Sequence, residues 1–123
     1  MRCLGIDGRW ALVSGCELAE WIALMCIVEE NGAPRMMQPG VPEMRIAFVR
    51  KGDCEILDTW HVSGLRGTGR HDVVVQGKTV ARERTLSPTG ASTLDSPLGQ
   101  LPIIATMAAG YAAQMLGIAR SAL

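Results

Sequence analysis

Asp58-Thr59-Trp60-His61-Val62-Ser63-Gly64-Leu65-Arg66-Gly67-Thr68-Gly69-Arg70-His71-Asp72-Val73-Val74 crowds Gly64, Gly67 and Gly69 around one arginine and one threonine, between two strand-like runs. Glycine gives up side-chain packing for backbone freedom, which suits a place where a ligand or another backbone comes near. The same spacing also describes a wide turn between strands, since glycine is common in plain loops. On either side, Cys54-Glu55-Ile56-Leu57 and Asp72-Val73-Val74-Val75 carry the apolar and β-branched residues that suit a pleated, half-buried surface.

The pattern continues outward in both directions. Met44-Arg45-Ile46-Ala47-Phe48-Val49-Arg50 nearly alternates and is followed by Lys51-Gly52-Asp53 as a turn. Downstream, Gln76-Gly77-Lys78 reads as a turn before a last short strand, Thr79-Val80-Ala81. Near the start, Asp7-Gly8 between Cys3-Leu4-Gly5-Ile6 and Trp10-Ala11-Leu12-Val13 reads as a two-residue hairpin turn. Trp21 to Val28 is almost wholly apolar, so periodicity does not separate helix from strand. The Ser14-Gly15 break before it and Glu29-Glu30-Asn31-Gly32 after it favour a buried strand. Residues 31–42, with Pro34, Pro39, Gly40 and Pro42, read as a loop, because proline removes ladder donors. Turn signals this regular predict a mainly β fold, an antiparallel barrel or sandwich-like domain over residues 1–84.

Residues 85–97 collect serine, proline, threonine and glycine and read as a linker. From 98 to 123 alanine, leucine and methionine dominate, with Pro102 suited to a first helical turn and Arg120 placed to favour the carboxyl-terminal dipole. This predicts one long C-terminal helix. Length alone would allow it to span a membrane, but Gln100, Thr106, Gln114 and the alanines dilute its hydrophobicity and no basic flank marks a cytoplasmic side. Small residues such as Ala105, Ala109, Gly110, Ala113 and Gly117 suit close helix packing instead, and a helix apolar all round needs cover. The expectation is a homo-oligomer formed through this helix.

Twelve basic residues balance twelve acidic ones in 123 residues. The cluster Arg66, Arg70, Lys78, Arg82 and Arg84 therefore reads as a solvated face, and nucleic-acid binding is not expected without an aromatic platform or a basic balance. Cys3, Cys16, Cys26 and Cys54 form no CxxC pair and no signal peptide is evident, which favours a reducing cytoplasm. With His61 and His71 as the only histidines, a structural zinc site is poorly supplied, so the histidines read as loop or hydrogen-bonding residues. Trp10 and Trp21 read as core.

Four stretches carry a family likeness: Asp7-Gly8-Arg9-Trp10-Ala11-Leu12-Val13-Ser14-Gly15-Cys16, then Ala19-Glu20-Trp21, then Asp58 to Gly69, then Leu116-Gly117-Ile118-Ala119-Arg120-Ser121-Ala122-Leu123. In this order the chain resembles the acyl-CoA dehydrogenase superfamily, and within it most closely the flavin-dependent monooxygenases that hydroxylate aromatic compounds. The resemblance implies the superfamily's middle β domain without its first strand, followed by the first helix of its C-terminal helical domain.

The resemblance also implies an FMN or FAD cofactor in intact relatives and either oxygen insertion or acyl-thioester dehydrogenation, with a small aromatic or acyl-thioester ligand. It sets Val13 and Ser14 beside the flavin ring and Trp60 as an aromatic wall near flavin or substrate. Arg66 and Thr68 would shape the glycine loop. The family's catalytic acid or base lies in helical domains, so no catalytic residue is expected in this chain. The expectation is a truncated flavin domain inactive by itself. Its alternatives are a non-catalytic oligomeric β-domain remnant, or a subunit completed by separate helical chains.

Overall fold

The computed structural model describes residues 3–88, 90, 95–97 and 99–123. Residues 89, 91–94 and 98, which belong to the expected linker and helix start, lie outside the described residues. The chain forms two compact units divided between Ser87 and Pro88. In the first, the strands are β1 (Cys3–Trp10), β2 (Trp21–Ile27), β3 (Glu29–Glu30), β4 (Ala33–Pro34), β5 (Met36–Gln38) and β6 (Val41–Pro42). These are followed by β7 (Met44–Arg50), β8 (Glu55–Leu57), β9 (Asp72–Ala81) and β10 (Thr85–Leu86). The second unit holds one helix, α1 (Ile103–Ser121).

Every strand pairing is antiparallel. One three-stranded sheet has the order β1-β9-β8 and the other β10-β7-β2. Both sheets feed a single core, Ile6, Val73, Val75 and Val80 coming from the first and Ile22, Leu24, Ala47 and Val49 from the second, with Cys16 between. Among the described residues the sheets stay open, so the arrangement is sandwich-like and not a closed barrel. The buried strand expected at 21–28 is present. Ile22 lies opposite Val49 and Leu24 opposite Ala47, so the side chains that face inward are cross-strand neighbours.

Two expected turns are not turns. β1 runs straight through Asp7-Gly8, and β9 runs straight through Gln76-Gly77-Lys78. The two dipeptides meet across the ladder: Ile6 pairs with Lys78 and Gly8 with Val75, so Asp7 alone opposes Gln76 and Gly77. This is a β-bulge on β9, made possible by Gly77 at φ +57 and closed by its N–H donating to Asp7 Oδ2 at 2.9 Å. The extra residue changes the parity of the strand. Val73 and Val75 point inward before the bulge, and Val80 points inward after it. A turn signal and a bulge signal share the same residues, because both need a positive φ.

Residues 31–42, expected as a loop, instead carry two small ladders, β3 with β4 and β5 with β6. Their base is closed by Val28 N to Glu43 O (2.9 Å), Arg35 N to Val28 O (2.8 Å) and an Arg35–Glu43 ion pair at 2.6 Å. At the end of the first unit, Thr85 and Leu86 pair with Ala47 and Ile46, and Arg45 Nε donates to Thr85 Oγ1 at 2.8 Å. The expected linker thus begins with a strand. In the second unit α1 starts behind Pro102, whose carbonyl accepts from Thr106 N at 3.1 Å, and no helix among the described residues is long and apolar enough to cross a membrane.

Trp10 ties the sheets together, but Trp21 does not belong to the core. Trp10 is half-buried against the core, crosses over Gly8 and donates from Nε1 to Met25 O at 2.7 Å. Trp21 is 36% exposed and lies between guanidinium contacts, Arg50 and Arg84 approaching its ring at 4.7 and 4.8 Å. A strand-end position on the outward face put it there, which an apolar run alone does not reveal. Leu24 is among the largest fully buried side chains. Leu24→Ala should cost about 2–5 kcal/mol in urea unfolding, while Met25→Ala on the exposed face of the same strand should cost clearly less.

Candidate functional site

Where β1 ends, the chain bends and must satisfy backbone groups that leave the ladder. Leu12 occupies the left-handed region at φ +57, a costly conformation for a bulky residue and one that often marks a site. Its N–H donates to Asp72 Oδ1 at 3.4 Å, and the next N–H, of Val13, donates to His71 O at 3.0 Å. Asp72 Oδ2 accepts from Arg9 Nε at 2.9 Å and Nη2 at 2.6 Å, a two-point contact that fixes both side chains. Asp72 is buried, and its own N–H donates to Thr59 Oγ1 at 2.9 Å. The Arg9 bond, together with those from Leu12 and Thr59, holds the Asp72 carboxyl below the usual carboxylate range, against the opposing effect of burial.

The neighbouring His71 gathers the other side of the site. Its Nδ1 accepts from Thr59 N at 3.2 Å and from Trp60 N at 3.3 Å. Two donors on Nδ1 require that nitrogen to be unprotonated, which assigns the proton of the neutral ring to Nε2. Nε2 faces Glu17 Oε1 at 3.7 Å. Residues 71 and 72 thus bind two segments far apart in sequence, 9–13 and 59–60.

The sequence-predicted residues fall on both sides of this node. Val13 and Ser14 line a surface groove of about 490 Å³, together with Trp10, Leu12, Ala19, Trp21 and Ala23. The Ser14 hydroxyl and its N–H make no hydrogen bond to any described residue, so both are available to a ligand. Trp60 does not line that groove. It is half-buried in the glycine-rich loop, where its Nε1 donates to Leu65 O at 3.1 Å. Leu65 O also accepts from Thr68 N (3.1 Å) and Thr68 Oγ1 (2.8 Å), closing a tight turn over Arg66–Thr68.

Of the three glycines in that loop, one is held closely. A Cβ at Gly69 would sit 2.8 Å from Glu17 Oε2, and its φ is +51. Gly64 and Gly67 have ordinary φ, and a Cβ added at either would meet nothing within 4 Å. The close approach read from the sequence belongs to Gly69 and its neighbour Glu17, and the other two are loop residues. Arg9, Glu17, Thr59 and Asp72 had no place among the site residues read from sequence. A buried acid facing an arginine 63 positions away leaves no local pattern, although Asp72 directly ahead of three consecutive valines is a signal of a kind.

Known proteins share this fold. The oxygenase subunit HsaA of a flavin-dependent monooxygenase from Rhodococcus jostii (strain RHA1) is 38% identical over 93 residues, covering 75% of this chain and 22% of that protein. Indole-3-acetate monooxygenase of Pseudomonas putida is 33% identical over 118 residues, 96% of this chain and 28% of that protein. The solved structure of XiaF from Streptomyces sp., in complex with FADH2 and glycerol, superposes with a TM-score of 0.65 at 29% identity, covering 83% of this chain and 26% of that one. No protein-family model matches the chain. The chain spans about a quarter of the length of the curated relatives it matches. Its homologues and structural neighbours are flavin-dependent monooxygenases of the acyl-CoA dehydrogenase-like fold, the branch its motifs resemble.

Two outcomes test this geometry. The unfolded chain binds protons at Asp72 more readily than the folded chain, so the stability this carboxylate contributes is complete above about pH 4 and is lost as pH falls through the lowered folded value. Asp72→Asn should therefore melt earlier than wild type at neutral pH, and the gap should narrow in acid when followed by circular dichroism. Gly69→Ala should cost about 1–2 kcal/mol in urea unfolding, from the left-handed backbone and displacement of Glu17, whereas Gly64→Ala should stay within about 0.5 kcal/mol of wild type.

Proposed function

We propose that this homologue of flavin-dependent monooxygenases supplies one wall of a flavin cleft, built from Trp10 to Ser14 and completed nearby by the Trp60 loop. The observation that carries the reading is the groove itself. Trp10, Leu12 and Val13 offer apolar surface to a flat ring, and the adjoining Ser14 hydroxyl and N–H have no partner among the described residues. An apolar floor with a few unspent polar groups is what a heteroaromatic ring with a polar rim requires.

In this reading the chain's own residues bind and orient. The left-handed bend at Leu12, fixed by Asp72, leads into Val13, whose N–H is held by the His71 carbonyl, and leaves the exposed Ser14 as the group that can bond the rim of the ring. Trp60, outside the groove and held by His71 and Leu65, would offer a second flat apolar surface to flavin or substrate. A bound flavin, FMN or FAD, would supply two-electron chemistry, oxygen insertion into an aromatic substrate being the variant the relatives' names favour over acyl-thioester dehydrogenation. Turnover would draw on groups beyond these residues, so the chain alone is expected to bind and not to turn over. Assembly through α1 belongs to the same proposal.

Titration of the purified chain with FMN and FAD, oxidised and reduced, followed by visible absorption and fluorescence, tests the reading. Saturable binding with perturbed flavin bands is expected, weakened about tenfold or more by Val13→Asp, which places a charge in the groove. Absence of saturable binding by either flavin in both redox states overturns it.

A further inference from the structure

The imidazole of His71 stands at a position where two hydrogen-bonding arrangements are both in reach. In the arrangement present, Nδ1 accepts from the adjacent N–H groups of Thr59 and Trp60 at 3.2 and 3.3 Å. Yet Asp58 Oδ1 lies 3.4 Å from the same Nδ1, and Glu17 Oε1 lies 3.7 Å from Nε2. The ring is nearly enclosed, its side chain 12% exposed, while both carboxylates are well exposed and free to adjust, at 59% for Glu17 and 79% for Asp58.

We propose that His71 is a positioning residue for the Thr59–Trp60 segment, and that it holds that segment only while Nδ1 is unprotonated. A proton on Nδ1 removes the lone pair that Thr59 N and Trp60 N use and turns two attractive contacts into donor against donor. The new N–H then has Asp58 to donate to, and Nε2–H keeps Glu17, so the ring changes partners without leaving its place. No bond is made or broken beyond the transfer of one proton from solvent.

Of the other charged groups, His61 shares the Asp58 acceptor: its Nε2 lies 3.8 Å from the same Oδ1, farther than His71 Nδ1, and contacts the Asp58 carbonyl at 3.2 Å. Asp72, on the next residue, is already occupied by Arg9, Leu12 N–H and, through its own N–H, Thr59. The release would be confined to residues 59–60 and the Trp60 ring, since Val13 N bonds the His71 carbonyl, which the proton does not touch. What Trp60 is positioned for rests on the flavin reading above, but the tether itself does not.

The test is a pH titration of the 15N-labelled chain by NMR, from about pH 8 to about pH 5, the interval in which histidine ordinarily changes charge. The amide signals of Thr59 and Trp60 and the Trp60 indole signal should shift with one midpoint, shared with the His71 ring signals. In His71→Asn, whose Oδ1 keeps an acceptor near the Nδ1 position but carries no titrating ring, the three signals should hold their high-pH positions throughout. In His71→Leu they should sit at displaced positions at every pH. Should the leucine variant fail to fold, wild type and His71→Asn decide the matter. Amides that stay still while the His71 ring titrates, or that still shift in His71→Asn, overturn the proposal. Flavin binding, measured across the same range, should weaken with the same midpoint in wild type but not in His71→Asn. Loss of that arm alone would count against the flavin reading and leave the tether standing.

Discussion

The buried carboxylate of Asp72 is the interaction on which the rest of this site depends. A charge taken out of water is costly unless it is paired and hydrogen-bonded, and Asp72 meets that requirement with Arg9 and the backbone of Leu12. The requirement works in both directions. Because the charge must be satisfied, the bend after β1 is obliged to bring Leu12 N–H toward it, and Leu12 accepts a left-handed backbone to do so. Because Thr59 Oγ1 takes the Asp72 N–H, the loop after β8 is drawn to the same place. One residue at the head of β9, by its side chain on one hand and its backbone N–H on the other, thereby brings together two segments that the sheet alone would leave independent.

The core does the complementary work of holding the two sheets at a fixed separation. It is small and aliphatic, with valine, isoleucine, leucine and alanine in facing positions, and Trp10 closing one side with a hydrogen bond across to β2. Its modest size means that polar ties carry a larger share of specificity than they would in a larger domain. The Arg35–Glu43 pair, the Arg45–Thr85 bond and the Asp7–Gly77 bond each fix a place where the ladders are short or irregular. The outward face of β2 and β7 is apolar by contrast, with Met25, Ile27 and Phe48 exposed and Trp21 carrying Arg50 and Arg84 at its edge.

The mainly β, sandwich-like fold with a C-terminal helix is readable from alternation and turn chemistry: Met44–Arg50 nearly alternates, and the breaks on either side of the apolar run Trp21–Ile27 favour a strand where its periodicity decides nothing. The hairpin turn read at Asp7-Gly8 and the turn read at Gln76-Gly77-Lys78 are instead a bulged ladder, because a glycine-bearing bulge and a glycine-bearing turn make the same local demand and differ only in what lies across the ladder. Trp21 was misjudged for a related reason: hydrophobicity says that a side chain prefers burial, not which face it occupies at a strand's end. The family likeness singled out Val13, Ser14 and Trp60, yet the residues that join their two segments, His71 and Asp72, speak through partners up to 63 positions away. Long-range polar pairing leaves no period in the sequence, so it becomes visible only when coordinates bring the partners together.

The odd residue at Gly77 gives this domain a property of phase. Ahead of it, odd-numbered valines of β9 fill the interior, and behind it the even-numbered Val80 does, so the two halves of one strand are kept in step with an unbroken β1 by a single extra position. Excising that position would leave a regular ladder in which Asp7 opposes Gln76 alone and Lys78 still faces Ile6, so Val80 would keep its inward place. A residue lost between the bulge and Val80 would instead turn that valine to solvent. The bulge is thus a place where β9 tolerates a change of length that its regular stretches do not.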